Sequence, residues 1–354
     1  MTVTRGSKVF LVVLVLALAS VGGALAYAGY LLGGEAGAGR PVAIAIERGA
    51  TAGTVGDDLA DRDVVRSALA FRLVAKSRGL DANILAGRYD LETGMSVDEA
   101  IDALLEGPIE PETFRVTVPE GLTVVQTLGR LAEQTDHSVE DYRAVLGSLT
   151  LPDWVPALDS FDPTIVREPY EGLLFPETYD FRQDASALTI LQRMVDQLSR
   201  TYDQVPAEQV EAMQARGYDR YRILIAASLI ERETRVDAER RQVAGVVFNR
   251  LVAGQALQID ATVLYAIGEH KERVLLEDLE FESAYNTYHV TGLPPTPISG
   301  VGKASILSTY DPADVPFVYY VLDASCDGRH LFAVTLDEHN RNVQAFRDAG
   351  RCQQ

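Results

Sequence analysis

The sequence predicts an α+β chain with three parts: an apolar N-terminal helix, a small strand–turn–helix module, and a larger mixed α/β domain. Three observations carry this reading. An uncharged run extends from Val9 to Gly34. A turn, a helix cap and an amphipathic helix recur at spaced positions before residue 135. The segment Tyr221 to Glu233 is apolar on every helical face through its centre, as a helix buried in a domain core must be.

The uncharged run is long enough to cross a bilayer, which takes about 20 helical residues. Arg5 and Lys8 precede it, and Glu35 ends it. This asymmetry places residues 1–8 in the cytoplasm, a single-pass anchor over 9–34, and the rest outside the membrane. The alternative is a cleaved signal peptide, since Ala24-Leu25-Ala26 resembles a cleavage site. Either way the remaining chain is exported. The two cysteines, Cys326 and Cys352, therefore meet an environment in which a disulfide can form, and spacing alone does not say whether they pair.

Residues 35–41 read as a flexible linker and 42–135 as a first module. Val42 to Ile46 alternates as a strand does. Gly49 turns the chain and Thr51 caps a helix through Leu59. A second helix spans about Ser67 to Lys76, and Gly87 to Leu91 reads as a return strand. Ser96 and Glu99 form a capping box for a third helix through Leu105. Gly49, Thr51, Val55 and Leu59 are echoed by Gly94, Ser96, Ala100 and Leu104, and again by Gly121, Thr123, Thr127 and Leu131. The pattern resembles small LysM-like modules that bind cell-wall glycan. The stretch 136–169 is irregular and rich in Pro and Asp, and is read as the connection to a second domain over 170–354.

A helix is expected from about Ala185 to Tyr202. The chemistry concentrates after Tyr221. The buried helix ends in Glu231 and Glu233. A carboxyl held against an apolar helix loses hydration, so its pKa rises, which suits a general acid at neutral pH. The two glutamates lie two residues apart, about 200° around a helix, so only one faces a given cleft. Periodicity does not choose between them. Asp237 is placed to cap the next helix, which carries Val243, Val246, Val247 and Leu251 as its buried stripe and stops at Gly254. Gln258, Asp260, Tyr285, Asn286 and Tyr288 follow in a Gly/Pro-punctuated region whose amphipathic rings and amides suit sugars.

Other chemistries fit poorly. The net charge of −19 opposes nucleic-acid binding. No H-E-x-x-H motif or G-x-S-x-G elbow occurs. Gly300-Val301-Gly302-Lys303-Ala304-Ser305 imitates a phosphate loop, but Pro297 stands at its first glycine and Ala304 at its Ser/Thr. Nothing calls for a metal or an organic cofactor.

The spaced motifs Glu231-Arg232-Glu233-Thr234, Glu239-Arg240, Phe248-Asn249-Arg250-Leu251, Leu257-Gln258-Ile259-Asp260, Tyr285-Asn286-Thr287-Tyr288 and Gly292-Leu293-Pro294-Pro295, with His330, Phe332, Thr335 and Glu338-His339-Asn340, resemble the endolytic murein transglycosylase, or YceG-like, family. The resemblance covers about Val42 to Phe346. It departs at Ala261, Thr296 and Ala333, where the family usually has Pro, Gly and Asn. It implies a lytic transglycosylase domain that cuts peptidoglycan between MurNAc and GlcNAc without water. The muramyl C6 hydroxyl attacks its own C1, leaving a 1,6-anhydro end. It selects Glu233 as the catalytic residue, with Gln258, Asp260, Tyr285, Asn286 and Tyr288 as cleft residues. It also implies work at the membrane alongside wall-synthesis enzymes, ending strand growth. Two rivals stand beside it: a hydrolytic muramidase using Glu231, Glu239 or Asp260 as a second carboxylate, and a non-enzymatic wall-binding scaffold.

Overall fold

The computed structural model describes residues 5–34, 39–80, 84–109, 112–268, 274–325 and 327–349. Cys326 and Cys352, and with them the disulfide, lie outside the described residues. The N-terminal helix α1 (Arg5–Leu32) includes an apolar stretch, Val13–Leu32, long enough to cross a membrane and with none of its residues buried.

The chain divides into two compact units, Met1–Glu112, which includes α1, and Thr113–Gln354. In the first, β1 (Pro41–Ile46) pairs antiparallel with β2 (Gly87–Glu92), placing Ile44 opposite Tyr89. Between them run α2 (Ala52–Asp61) and α3 (Ala68–Ser77), and α4 (Val97–Glu106) follows. Thr51, Ser67 and Ser96 cap the three helices, and the Ser96–Glu99 capping box forms as its spacing predicts. The inward faces of all five elements meet in one core around Ile44, Leu59, Phe71, Ile101 and Leu104. Gly56 permits that packing, since a Cβ there would lie 2.9 Å from the Phe71 ring.

The third copy of the turn–cap–helix echo belongs to the second unit. Its helix, α5 (Val124–Gln134), follows β3 (Thr113–Thr117), and β3 pairs with β4 (Thr178–Arg182) in the register Val116↔Tyr179. The compact units therefore divide between Glu112 and Thr113, upstream of the 136–169 stretch read as the connection. That stretch is irregular but anchored: α6 (Val139–Val145) inserts fully buried Tyr142 into a core with Val116, Leu128 and Leu131. Polar composition marked the loops there and said nothing of a strand pairing across 60 residues.

Helices α7 (Ala187–Tyr202) and α8 (Ala207–Ala215) lead to α9 (Arg220–Glu233), the buried helix. A 3₁₀ turn at Asp237–Glu239 precedes α10 (Arg240–Val252). Asp237 does not cap α10; its carboxylate instead accepts from Arg240 Nε at 2.9 Å. Then come α11 (Asp260–Ile267), α12 (Lys303–Tyr310), the hairpin β5 (Tyr319–Leu322) and β6 (His330–Ala333), and α13 (Leu336–Asp348).

Gly172 shows how tightly this unit is closed. Its φ is +78°, and a Cβ would sit 2.6 Å from Pro297 Cβ. Gly217 has a similar φ of +89° with open space around it. Replacing Gly217 with Ala should cost only the left-handed penalty, about 1–2 kcal/mol. Gly172→Ala should cost that plus overpacking, about 2–5 kcal/mol in all. Denaturant melts of the two variants check this, and equal losses would contradict the packing argument.

Candidate active site

Helix α9 delivers three charged side chains at its C-terminal end, and the structure sends them to different places. Its body is buried from Ile223 to Ile230, and Asp219 caps its start by accepting from Arg222 N at 2.8 Å. Glu231 turns into the protein. It pairs with Arg240 at 3.4 Å, the two side chains being 5% and 7% exposed, and it accepts from Gly302 N at 2.9 Å. Arg240 is further bound by Asp237 and by Ser305 Oγ. Arg232 reaches the Gly121 carbonyl at 3.0 Å.

Glu233 is different. Its carboxylate accepts a hydrogen bond from the Tyr320 hydroxyl at 2.9 Å, a phenol where Glu231 has a guanidinium. Burial pushes its pKa up to about 7. The Tyr320 hydrogen bond pulls it down, the Asp260 carboxylate adds to the rise, and Arg232 opposes it. The group is thus poised to carry a proton near neutral pH.

The surroundings of Glu233 are assembled largely by α10. Arg250 Nη1 donates to the Ala256 and Leu257 carbonyls at 3.1 and 2.8 Å, and its Nε donates to Val318 O at 2.6 Å. Asn249 Nδ2 donates to Val315 O and Phe317 O at 2.7 and 2.9 Å. Two neighbouring side chains therefore fix both the segment leading to Asp260 and the segment leading to Tyr320. Between them Gln258 adopts a φ of +55°, rare for a residue with a Cβ, and its N–H bonds Thr287 O at 3.0 Å.

The five expected cleft residues separate into two groups. Asp260 opens α11 and is exposed; it accepts from the Tyr288 hydroxyl at 2.5 Å. Both lie within electrostatic reach of Glu233. Exposed Gln258 adjoins them through a 3.4 Å contact with Arg250. Tyr285 and Asn286 sit elsewhere. Tyr285 is 1% exposed and spends its hydroxyl on Thr296 Oγ1 at 2.7 Å. Asn286 is fully buried, and its amide satisfies the Leu279 and Phe281 carbonyls, both at 2.8 Å. Both hold the loop in shape and present nothing to a ligand.

Tyr320 escaped the sequence reading. It lies in a short run of aromatic and β-branched residues, Val318-Tyr319-Tyr320-Val321, that reads only as a strand. Its ring meets the edge of His330, 5.3 Å between centroids. His330 in turn is held by Glu239, which accepts from its backbone N–H at 3.1 Å and contacts Nδ1 at 2.9 Å. Of the three carboxylates considered as a second acid, Glu231 is held by Arg240 and Glu239 by His330, while Asp260 is bonded to the Tyr288 hydroxyl and raises the pKa of Glu233. Among the described residues, no three His, Cys, Asp or Glu side chains converge as a metal-ligand set.

Comparison with known proteins places the chain in a family. Residues 44–345 match the model of the YceG-like family. An endolytic murein transglycosylase of Bacillus subtilis is 35% identical over 314 residues, covering 86% of this chain and 84% of the relative. One from Streptococcus pneumoniae is 29% identical over 93% of this chain, which spans 63% of that relative's length. A crystal structure of a YceG-like protein from Listeria monocytogenes, 30% identical, superposes with a TM-score of 0.54 over 86% of this chain and 99% of the other. With a family match over most of its length and a relative 35% identical over 86% of it, the chain belongs to the YceG-like family.

Proposed function

We propose that this chain is an endolytic murein transglycosylase with Glu233 as its one acid–base group. The observation that carries the reading is the state of that carboxyl: desolvated, bonded to a phenol, and raised to about 7. In the first step the protonated acid gives its proton to the glycosidic oxygen between MurNAc and GlcNAc. In the second, the resulting carboxylate takes the proton of the muramyl C6 hydroxyl as that oxygen bonds to C1. No water is consumed, and the glycan ends in 1,6-anhydroMurNAc. In this reading the exposed Asp260 carboxylate stabilises positive charge developing at C1, with Tyr288 orienting it and Gln258 at the rim; its hydrogen bond from Tyr288 and its electrostatic effect on Glu233 support that role.

The first unit supports a LysM-like, glycan-binding reading through its antiparallel strand pair enclosing two helices. Helix α1 is proposed as a single-pass anchor with the catalytic unit outside the cytoplasmic membrane. That location brings the site to newly made strands and to the enzymes that make them. A second reading has one observation in its favour: Asp260 beside Glu233 offers the second carboxylate of a hydrolytic muramidase. Product mass separates the two, since the anhydro end lacks one water.

Glu233→Gln should keep the fold and lose about 10²–10⁴-fold in anhydro-product release, the usual cost of losing general acid–base catalysis. Glu231→Gln should instead lower stability by about 1–3 kcal/mol, because the buried Arg240 loses one of its two carboxylate partners and keeps only Asp237, while turnover survives in the folded fraction. A wild-type rate in Glu233→Gln would sink the assignment.

The pH profile is a separate check. Cleavage should fall as pH rises through about 7, where the acid loses its proton. Tyr320→Phe removes a hydrogen bond that favours the carboxylate, so this limb should move to higher pH. Stability follows the same proton. A folded pKa above the unfolded value adds stability at low pH that is lost as pH rises through about 7. Glu233→Gln should therefore melt at or above the wild-type temperature at pH 8–9 and lose this advantage near pH 5.

A further inference from the structure

Beside the catalytic helix lies a cavity of about 460 Å³ that the mechanism above does not use. Arg143, Arg167 and Arg232 line it, together with Glu168, Glu171 and Tyr265. Three guanidinium groups in one cavity are conspicuous in a chain whose net charge is −19. Glu171 does little to cancel them: burial pushes its pKa up to about 8, so it is protonated at neutral pH, and its Oε1 already accepts from Val124 N at 2.9 Å. Arg143 is only loosely tied, to Glu168 at 3.8 Å with its side chain 45% exposed.

The cavity is built around one of these groups. Arg167 lies over the Tyr265 ring, 5.9 Å from its centroid, and donates to Ala266 O at 3.1 Å. Gly268 ends α11 with a φ of +79°, and a Cβ there would run into the Arg167 guanidinium. Two of its lining residues adjoin the proposed reacting residues in sequence. Arg232 is the chain neighbour of Glu233, and the lining residue Ala261 is the neighbour of Asp260, each pair having Cα atoms about 3.8 Å apart.

We infer that this cavity is a subsite for an oxyanion of the substrate, namely a carboxylate of the short peptide carried by the muramyl residue. The inference rests on the proposed activity toward peptidoglycan. A planar guanidinium fork matches a carboxylate in two parallel hydrogen bonds, and the aromatic face of Tyr265 holds one such fork in place. The glycan hydroxyls and amide carbonyls are neutral acceptors, and a stripped strand offers only the lactyl carboxylate close to the ring, whereas the peptide carries its carboxylates further out. A phosphate at a strand end has the same chemistry and is the rival source.

The test uses the full-length protein in detergent and three substrates: peptide-bearing strands, the same strands stripped of peptide, and stripped strands ending in a phosphate. The readout is the ratio of kcat/KM values between substrates. The wild type should prefer peptide-bearing strands, and the preference should weaken as salt is added. Arg143→Gln and Arg167→Gln should each reduce that preference about three- to fivefold, the scale of one partly exposed ion pair. Arg143 makes no backbone contact among its described bonds, so its variant remains informative if Arg167→Gln melts early. Equal cleavage of bare and peptide-bearing strands by the wild type would overturn the subsite, as would an undiminished preference in well-folded variants. A preference for the phosphate-ended strand that Arg143→Gln abolishes would overturn the peptide assignment in favour of phosphate. If the wild type cleaves none of the three, the proposed activity fails. Binding of the three strands to the wild type then judges the subsite by the same ratios.

Discussion

The structure depends above all on taking one helix out of water and ending it with a carboxyl that must stay nearly dry. A helix buried on every side has to satisfy its polar groups internally and find apolar partners all round. Helix α9 meets both demands. Ser228, fully buried in its middle, donates to Ile225 O at 2.7 Å and accepts from Ile298 N at 3.1 Å, latching the Gly/Pro loop onto the helix. Leu229 and Ile230 pack with Val243, Val247, Leu257 and Ile298 in a common core. The packing that holds α9 also sets the environment of Glu233, so stability and acidity share one cause.

The groups around Glu233 come from distant parts of the chain, and side-chain hydrogen bonds to main-chain carbonyls hold them in place. Asn249 and Arg250 together bind carbonyls on both sides of the site. Arg250 resists its setting, since burial pulls its pKa below the usual guanidinium value. What compensates is the number of acceptors it satisfies at once. A lysine could carry the charge but not span them, because its ammonium donates from a single point. This gives a physical reason for an Asn-Arg pair beside the site, even though neither residue donates a proton to the substrate.

The sequence was most informative where structure is local. Caps at Thr51 and Ser96 and the all-round apolarity of α9 announced their helices within a residue or two. Glu231 and Glu233 were both visible as candidates, but α9 has no polar face to orient them; the resemblance favoured Glu233, and the fold gives the two different partners, Arg240 and Tyr320. Strand pairing was the weak point, because nothing in Thr113–Thr117 names a partner at Thr178–Arg182. Tyr285 and Asn286 illustrate a second difficulty. An amide or phenol in a loop looks like a sugar contact, yet the same atoms suit a buried carbonyl or hydroxyl equally well. Composition cannot tell which demand a loop will make.

A single residue that must first donate and then accept a proton is best served by a pKa close to the ambient pH. A much stronger acid would be deprotonated before the first step, and a much weaker one would make a poor donor in that step. Burial is the largest influence on Glu233 and raises its pKa. The Tyr320 hydrogen bond and the Arg232 charge pull against burial and Asp260, and the balance falls near 7. Tyr320 is itself braced by the edge of His330, which Glu239 holds in place. The hydroxyl that restrains the acid therefore rests on a hairpin tied to the start of α10, the same helix that carries the Asn249–Arg250 clamp. A change in how that hairpin docks would alter the hydrogen bond before it altered the burial of α9. The acidity of Glu233 should accordingly be more sensitive to the packing of β5 and β6 than the fold itself is.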